Sequence, residues 1–529
     1  MFRSIARAGP WLILLAYSGL AVLMTYPLAL HFGTVIPGDG FDGWQNYWNL
    51  WWVRVALLEQ GGSPLYTHLL YHPTGVSLAF QTLNLFNGLA SLPIQLCFGL
   101  FPAYNAAACF SFVAGGFGAF LLARYALGKA GWRGRWTIWP ALVGGVIFAF
   151  SPFHFAHLLG HMQVLSLEWL PFAALSLVQG MDRLDEKPAQ VGRLLRTAAL
   201  SGLFLILVGL CDWYYALYAG LFSGLLILYR LFGRRLRGRH LLMLGLAWSL
   251  FLIALAPMWA PMAREAARSD YMVPEEAQAL TLSADLLAFF TPNEFHPIWG
   301  KAASRFAERF TSSPSERIIF AGYLPLALGL LAACKVGRAS RLWWIATLTF
   351  TILALGPILH IGGQSQFTPW NLSIPLPYMA LYRALPVIRI ARSISRLDVM
   401  VMLSLSVLAA LGLAWLIQRR RRRTSGGRPA LLGLAAVGLI CFEFLSIPYP
   451  LSPPDTPAFY HDLAAEPAEG AVLNLPMNWD RPGYLLYQTV HQWPLTAGYI
   501  TREDPNTLVY RAPVLQEFRF LGPDILTDD

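Results

Sequence analysis

Four groups of side chains in this 529-residue sequence have the types and spacing that chemistry needs. The first is the pair Asp39 and Asp42 in Pro37-Gly38-Asp39-Gly40-Phe41-Asp42-Gly43-Trp44-Gln45-Asn46-Tyr47-Trp48-Asn49-Leu50-Trp51-Trp52. Gly38 and Gly40 bracket Asp39 in a turn. Asp42 followed by Gln45 resembles a capping box and predicts that a helix starts there. The local readings are a turn carboxylate for Asp39 and an N-cap for Asp42. The chemical readings are a general base that takes the proton of a hydroxyl or a ligand of a divalent metal ion. On the predicted helix Trp44, Trp48, Trp51 and Trp52 share one face, and Asp42, Gln45, Asn46 and Asn49 share another. Tryptophan favours the membrane interface, so the helix is expected to lie flat on the outer leaflet.

The second group lies in Ser151 to Gln163. His154, His157 and His161 stand at i, i+3 and i+7, one face of a helix. Three histidines without a carboxylate or cysteine make a weak zinc set. Contacts with a phosphate or sugar and plain structural hydrogen bonds are the other readings. The third group, Ser283 to Gly300, mixes aromatics with Asp285, Glu294 and His296, which suits sugar or lipid recognition or an interfacial helix. The fourth is Arg383, Arg389, Arg392 and Arg396. Arginine binds phosphate through two parallel hydrogen bonds, so a lipid-linked phosphate or pyrophosphate is one reading. Salt bridges to Asp398 or to acids of the C-terminal tail are the other. Glu168, in an apolar segment, must face the protein interior. Asp212 is a carboxylate without an assigned role.

The elements that carry these groups follow from composition. Only 13% of residues are charged, 56% are hydrophobic and mean hydropathy is +0.49. A soluble chain averages about 25% charged, so the expected fold is all-α and polytopic in a membrane. Eleven apolar runs are long enough to span: 11–31, 103–123, 137–153, 164–181, 197–212, 213–232, 241–262, 318–336, 341–360, 396–417 and 429–448. The run 82–101 is ambiguous. With the N-terminus inside and eleven spans, the short inner segments hold 24 of the 39 Lys and Arg. Counting 82–101 as a span puts Arg124, Lys129, Arg133 and Arg135 outside, against the positive-inside rule. That run is therefore read as a helix at the outer interface. The net charge of +10 is accounted for by orientation in the bilayer, and no nucleic-acid groove pattern is present.

This topology gives a membrane domain, 1–448, with outer loops at 32–102, 263–317 and 361–395. An outer tail, 449–529, reads as a small α/β piece: a helix at 457–468, a strand at 471–475 and a helix at 484–491. The chain stops abruptly after Asp528-Asp529, as a domain cut short would. The first span lacks a cleavage site and is read as retained. Ten of the eleven histidines fall on the outer side. The five cysteines show no pairing or zinc spacing and read as small buried apolar residues. No P-loop, dinucleotide-binding glycine motif or nucleophile elbow occurs. Channels and symmetric carriers concentrate ionisable groups at mid-membrane; here they sit at the outer face, and no internal repeat is visible.

A first span followed by a large outer loop with acids just past it, and flat interfacial helices, resembles the GT-C superfamily of polytopic glycosyltransferases. The eleven-span core with an outward tail is similar to its protein-mannosyltransferase and aminoarabinose-transferase branch. The segments Asp39 to Trp52, Ser151 to Gln163 and Ser283 to Gly300 resemble bacterial members near the YfhO-like group. The resemblance implies a polyprenyl-phosphate-linked sugar donor, transfer to an acceptor hydroxyl with inversion, and a place in the bacterial inner membrane with an extracytoplasmic tail. It places the first-loop catalytic acid at Asp39 or Asp42, although this sequence has Asp-x-x-Asp where the superfamily has adjacent acids or Asp-x-Asp. Substrate contacts would come from His154, His157, His161, Asp285, His296, Arg383, Arg389 and Arg392. The rival expectation is a non-catalytic binder of lipid-linked glycan, or a flippase-like transporter.

Overall fold

A computed structural model describes residues 9–185, 190–367, 371–423, 428–477 and 481–520. Long apolar segments become helices because a chain in hydrocarbon must satisfy every backbone N–H and C=O internally. Among the described residues, six helical segments are long and apolar enough to cross a membrane: Leu100–Lys129, Arg135–Leu158, Met162–Asp185, Val191–Cys211, Trp213–Phe232 and Ile394–Arg423. The pair Gly238–Ala254 and Ala256–Ala266, bent by 78°, makes a seventh if it is one span. Gly9–Met24, Tyr323–Lys335, Arg341–Ala354 and Pro429–Glu443 fall at the remaining four predicted places. They have 10–17 residues, at most about 26 Å of helix. The run 82–101 is not a span. It forms two short helices, Leu85–Ala90 and Leu92–Phe98, before the long helix begins at Leu100.

The helix Asp398–Arg423 is buried continuously through Ala414, as a helix apolar on all sides must be when it runs through the centre of a bundle. Small residues let its neighbours approach. A Cβ on Gly412 would stand 2.0 Å from the Leu328 carbonyl oxygen. Outward-facing Trp11, Leu15, Phe232, Ile253 and Leu330 are 65–83% exposed and form an apolar surface suited to lipid. At one end of the bundle Arg230 bridges Asp182 and Asp185 at 2.6 Å each, and Lys129 joins Asp182 at 3.2 Å. Asp212 caps the opposite end of the helix that carries Arg230.

The tail is clipped to the first loop. Leu451–Ser452 pairs antiparallel with Ile36–Pro37, Ile36 opposite Ser452. Tyr66–Thr67 pairs with Val76–Ser77 in a second short ladder. The tail forms helices Ala458–Leu463 and Gly483–His491. The predicted strand at 471–475 is reduced to one bridge, Val472 to Leu495, because it finds a single partner rather than a sheet. Cys97 and Cys334 are exposed, not buried as expected.

Candidate active site

The Asp42–Arg54 helix begins after a turn that only glycine permits. Gly38 has φ +115°, and a Cβ there would lie 2.0 Å from the Leu159 carbonyl oxygen. Gly160 faces it from the other side, where a Cβ would lie 2.5 Å from the Gly43 nitrogen. Two glycine turns thus pack backbone to backbone. Asn46 ties them together by donating to the Gly160 carbonyl at 2.7 Å. This contact brings Asp42 and His161 side by side.

Asp42 is not the N-cap. Phe41 holds that position without a side-chain cap bond. The Asp42 carboxylate turns outward instead. Its Oδ2 receives His161 Nε2 at 2.7 Å, and its Oδ1 accepts from the Tyr499 hydroxyl at 2.7 Å. Burial alone would raise its pKa. The His161 bond and charge, the Tyr499 bond and the charge of Arg392 overcome that and hold it at about 2. Asp39 behaves as the turn residue: its Oδ1 accepts the Phe41 N–H at 3.0 Å.

Asp42, His161, Arg392 and Arg396 line two cavities at once, one of about 250 Å³ and one of about 340 Å³. The first also presents Phe80, Trp213, Tyr214 and Ile390 with Asp212 and Arg502. The second presents Asp39, Ser313, Ser315, Glu316 and Ser393. Burial and the facing charge of Arg392 both lower the pKa of Arg502. Both cations line this cavity, and an anion between them would relieve their repulsion. Arg396 pairs with Glu316, not with Asp398 or a tail acid: its Nη2 lies 2.5 Å from Glu316 Oε1. Burial would raise the Glu316 carboxyl, but Arg396 and the neighbouring His157 hold it at about 2.

The other predicted residues divide by geometry. The histidines do not share one helix face, because the helix ends at Leu158 and His161 precedes the next one. His154 is fully buried and bonded to the Ala149 and Leu165 carbonyls, so its nitrogens serve the backbone. His157 is buried behind the cavity, with Nδ1 at 3.3 Å from His161 Nδ1. Asp285 accepts from the N–H groups of Leu287, Gly362 and Gly363 and holds a loop. His296 contacts the Phe442 carbonyl and stacks on Trp299. Glu294 pairs with Arg317 at 2.6 Å. Arg383 and Arg389 are exposed, and Arg389 donates to the Tyr382 and Arg383 carbonyls. Of the cations named as substrate contacts, Arg392 alone faces the cavities. Nor does the Asp42–Arg54 helix lie on a leaflet. It is buried from Gly43 to Val53 beneath the tail, with Trp48 Nε1 donating to Gln488 Oε1 at 2.7 Å.

Sequence reasoning missed Glu316, Tyr499 and Arg502. Ser313-Pro314-Ser315-Glu316 carries only a helix-start signal. Nothing local marks Tyr499 or Arg502.

No protein-family model matches the chain, and no curated protein matches its sequence. Solved structures do match. The archaeal oligosaccharyltransferase AglB from Archaeoglobus fulgidus, in complex with an inhibitory peptide and a dolichol-phosphate, aligns with 92% of this chain at TM-score 0.50 and 14% identity. The chain shares the fold of that membrane protein. The match spans 64% of the length of that oligosaccharyltransferase. ArnT from Cupriavidus metallidurans bound to undecaprenyl phosphate aligns over 93% of this chain and 86% of its own, at TM-score 0.49 and 12% identity. Another structure of the archaeal enzyme, in complex with Zn and sulfate, gives TM-score 0.47 and 15% identity.

The sequence also allowed Asp39 or Asp42 to be a ligand of a divalent metal ion. Among the described residues no three His, Cys, Asp or Glu side chains gather as a ligand set. Both oxygens of Asp42 receive donors, and those of Glu316 receive Arg396 and Ser395. The described residues thus offer no three-ligand set, and no chemical step is assigned to a metal.

Proposed function

We propose that this protein is a membrane glycosyltransferase that moves a sugar from a polyprenyl-phosphate-linked donor to an acceptor hydroxyl at the outer face. The observation that carries the reading is the position of Asp42, a carboxylate at the junction of two cavities, beside Arg392 and Arg396. The donor lies in the aromatic-walled cavity with its phosphate against Arg392 and Arg502. The acceptor enters from the polar cavity. Its oxygen attacks the anomeric carbon from the face opposite the lipid phosphate. The bond from that carbon to the phosphate oxygen breaks, and the lipid phosphate leaves with the electron pair. Attack from the far face inverts the anomeric centre. Preorganised cations stabilise the charge that develops on the leaving group.

Asp42 takes the acceptor proton. A carboxylate held near a pKa of 2 is a weak base toward a resting alcohol. It suffices for a hydroxyl whose acidity rises steeply as its oxygen bonds to carbon, so proton transfer comes late. His161 and Tyr499 fix the carboxylate; Asp39 shapes the turn before it. The N-terminus is on the cytoplasmic side and the tail is extracytoplasmic, a reading supported by the clustering of Lys and Arg in the loops remote from Asp42.

The test is turnover of a panel of polyprenyl-phosphate-linked hexoses and pentoses by the purified protein in lipid bilayers. Sugar transfer or release by the wild type, with inversion, is expected. Saturable binding of undecaprenyl phosphate with no turnover of any donor would overturn the enzyme reading in favour of a binder of lipid-linked glycans.

A further inference from the structure

The tail reaches into the cavity with one short strap, residues 498–502. Its main chain is fastened to the first loop three times. Tyr71 donates its hydroxyl to the Gly498 carbonyl at 2.8 Å, Gln45 Nε2 donates to the Tyr499 carbonyl at 3.2 Å, and the Thr501 N–H donates to Gln81 Oε1 at 2.8 Å. Gly498 lies against Leu70, where a Cβ would already be 3.0 Å away. The Tyr499 ring meets Phe41 edge-on at 5.7 Å. So held, its hydroxyl reaches Asp42 Oδ1, while His161 holds the other oxygen from the membrane domain.

We propose that Tyr499 is a positioning residue for Asp42, and that the tail is therefore part of the catalytic unit rather than an appended domain. The inference rests on the reading of Asp42 as the base. A carboxylate on a two-bond side chain has two torsions to fix. One donor on each oxygen, from two separate parts of the fold, fixes both and leaves each oxygen a further lone pair in a side chain that lines both cavities. Because the strap is fastened through its backbone, removing the hydroxyl alone leaves the tail in place.

The groups that face Asp42 are His161 from the 159–161 turn, Arg392 and Arg396 from the segment entering the last long span, Glu316 from the 314–317 turn, Asp212 at the start of the Trp213–Phe232 helix, Tyr104 from the Leu100–Lys129 helix, Asp39 from its own loop, and Tyr499 and Arg502 from the strap. Tyr499→Phe changes one of them. Losing a donor to the ionised form favours the protonated form, so the acid limb of kcat/KM moves to higher pH.

The experiment compares wild type, Tyr499→Phe, Tyr71→Phe and Asp42→Asn on a polyprenyl-phosphate-linked sugar in bilayers across pH. Tyr499→Phe is expected to lower kcat ten- to a hundredfold, the worth of about one hydrogen bond to a charged group, with the donor KM within about twofold and the acid limb raised. Tyr71→Phe loosens the strap without touching Asp42 and is expected to leave the acid limb where it is. Unchanged kcat and acid limb in Tyr499→Phe, with Asp42→Asn inactive, overturns this inference and leaves the base in place. A shift of the acid limb in Tyr71→Phe equal to that in Tyr499→Phe overturns it as well, because the effect is then general loosening. Full activity in Asp42→Asn removes the base and this inference together.

Discussion

Replacing Glu316 by glutamine strands the guanidinium of Arg396 inside the protein. The Glu316 side chain is 4% exposed and that of Arg396 7%. Glu316 accepts from Arg396 Nε at 2.8 Å and Nη2 at 2.5 Å, and from the Ser395 hydroxyl at 2.7 Å. Breaking a buried pair from one side costs up to about 3–5 kcal/mol, less here by what the nearby Asp212 carboxylate still compensates of the Arg396 charge. Arg396 and His157 hold the Glu316 carboxyl below its ordinary value against the effect of burial, so the fold favours its ionised form. A depressed carboxyl contributes stability that is present above its unfolded pKa. That contribution is lost as pH falls from about 5 toward 2. The assay is thermal unfolding in detergent followed by tryptophan fluorescence at pH 7 and at pH 4. Glu316→Gln melts well below the wild type at pH 7 and lacks this part of the wild type's acid sensitivity. The paired change Glu316→Leu with Arg396→Met removes both charges and recovers most of the loss. A single variant with wild-type melting and wild-type acid response refutes the reasoning.

Two further outcomes follow from the geometry. Burial pushes the Asp212 carboxyl up to about 6, against the charge of Arg396 and the Tyr214 and Tyr215 N–H groups. As pH rises through 6 it gains a negative charge in the cavity that holds Arg392 and Arg502. Affinity for undecaprenyl phosphate falls about fivefold between pH 5 and pH 8, roughly a 1 kcal/mol effect, and equilibrium binding shows no such slope in Asp212→Asn. Gly160→Ala puts a Cβ 2.5 Å from the Gly43 nitrogen and forces the two glycine turns apart; turnover drops at least about tenfold while membrane insertion, read by fractionation, is kept.

Much of the membrane architecture is legible because hydrocarbon demands long apolar helices, and the sequence cannot hide them. The polar face of the first-loop helix was legible for the same kind of reason. Gln45 lines the cavity with Asp42, and Asn46 and Asn49 bond to the Gly160 and Thr82 carbonyls. The tryptophan stripe was misread because its cover comes from Gln488, 440 residues away, and local periodicity carries no trace of it. The histidine triplet was misread by extending one helical period past Leu158, where the helix ends, to His161. Four arginines looked alike in sequence, but their neighbours divide them: Arg396 finds a buried acid, Arg392 two cavities, and Arg383 and Arg389 an exposed loop. Tyr499 and Glu316 act through partners far along the chain, and single residues of ordinary type give no pattern to read.

The central claim is that one first-loop carboxylate performs the chemistry and the other shapes the turn. Single-turnover transfer from a polyprenyl-phosphate-linked sugar, measured for Asp42→Asn and Asp39→Asn in the same bilayers, tests it most directly. The account predicts a loss of about a hundredfold or more for Asp42→Asn, the usual span of general-base catalysis, and less than about tenfold for Asp39→Asn. Asp42→Asn at wild-type rate, or the reverse order of the two variants, would contradict it.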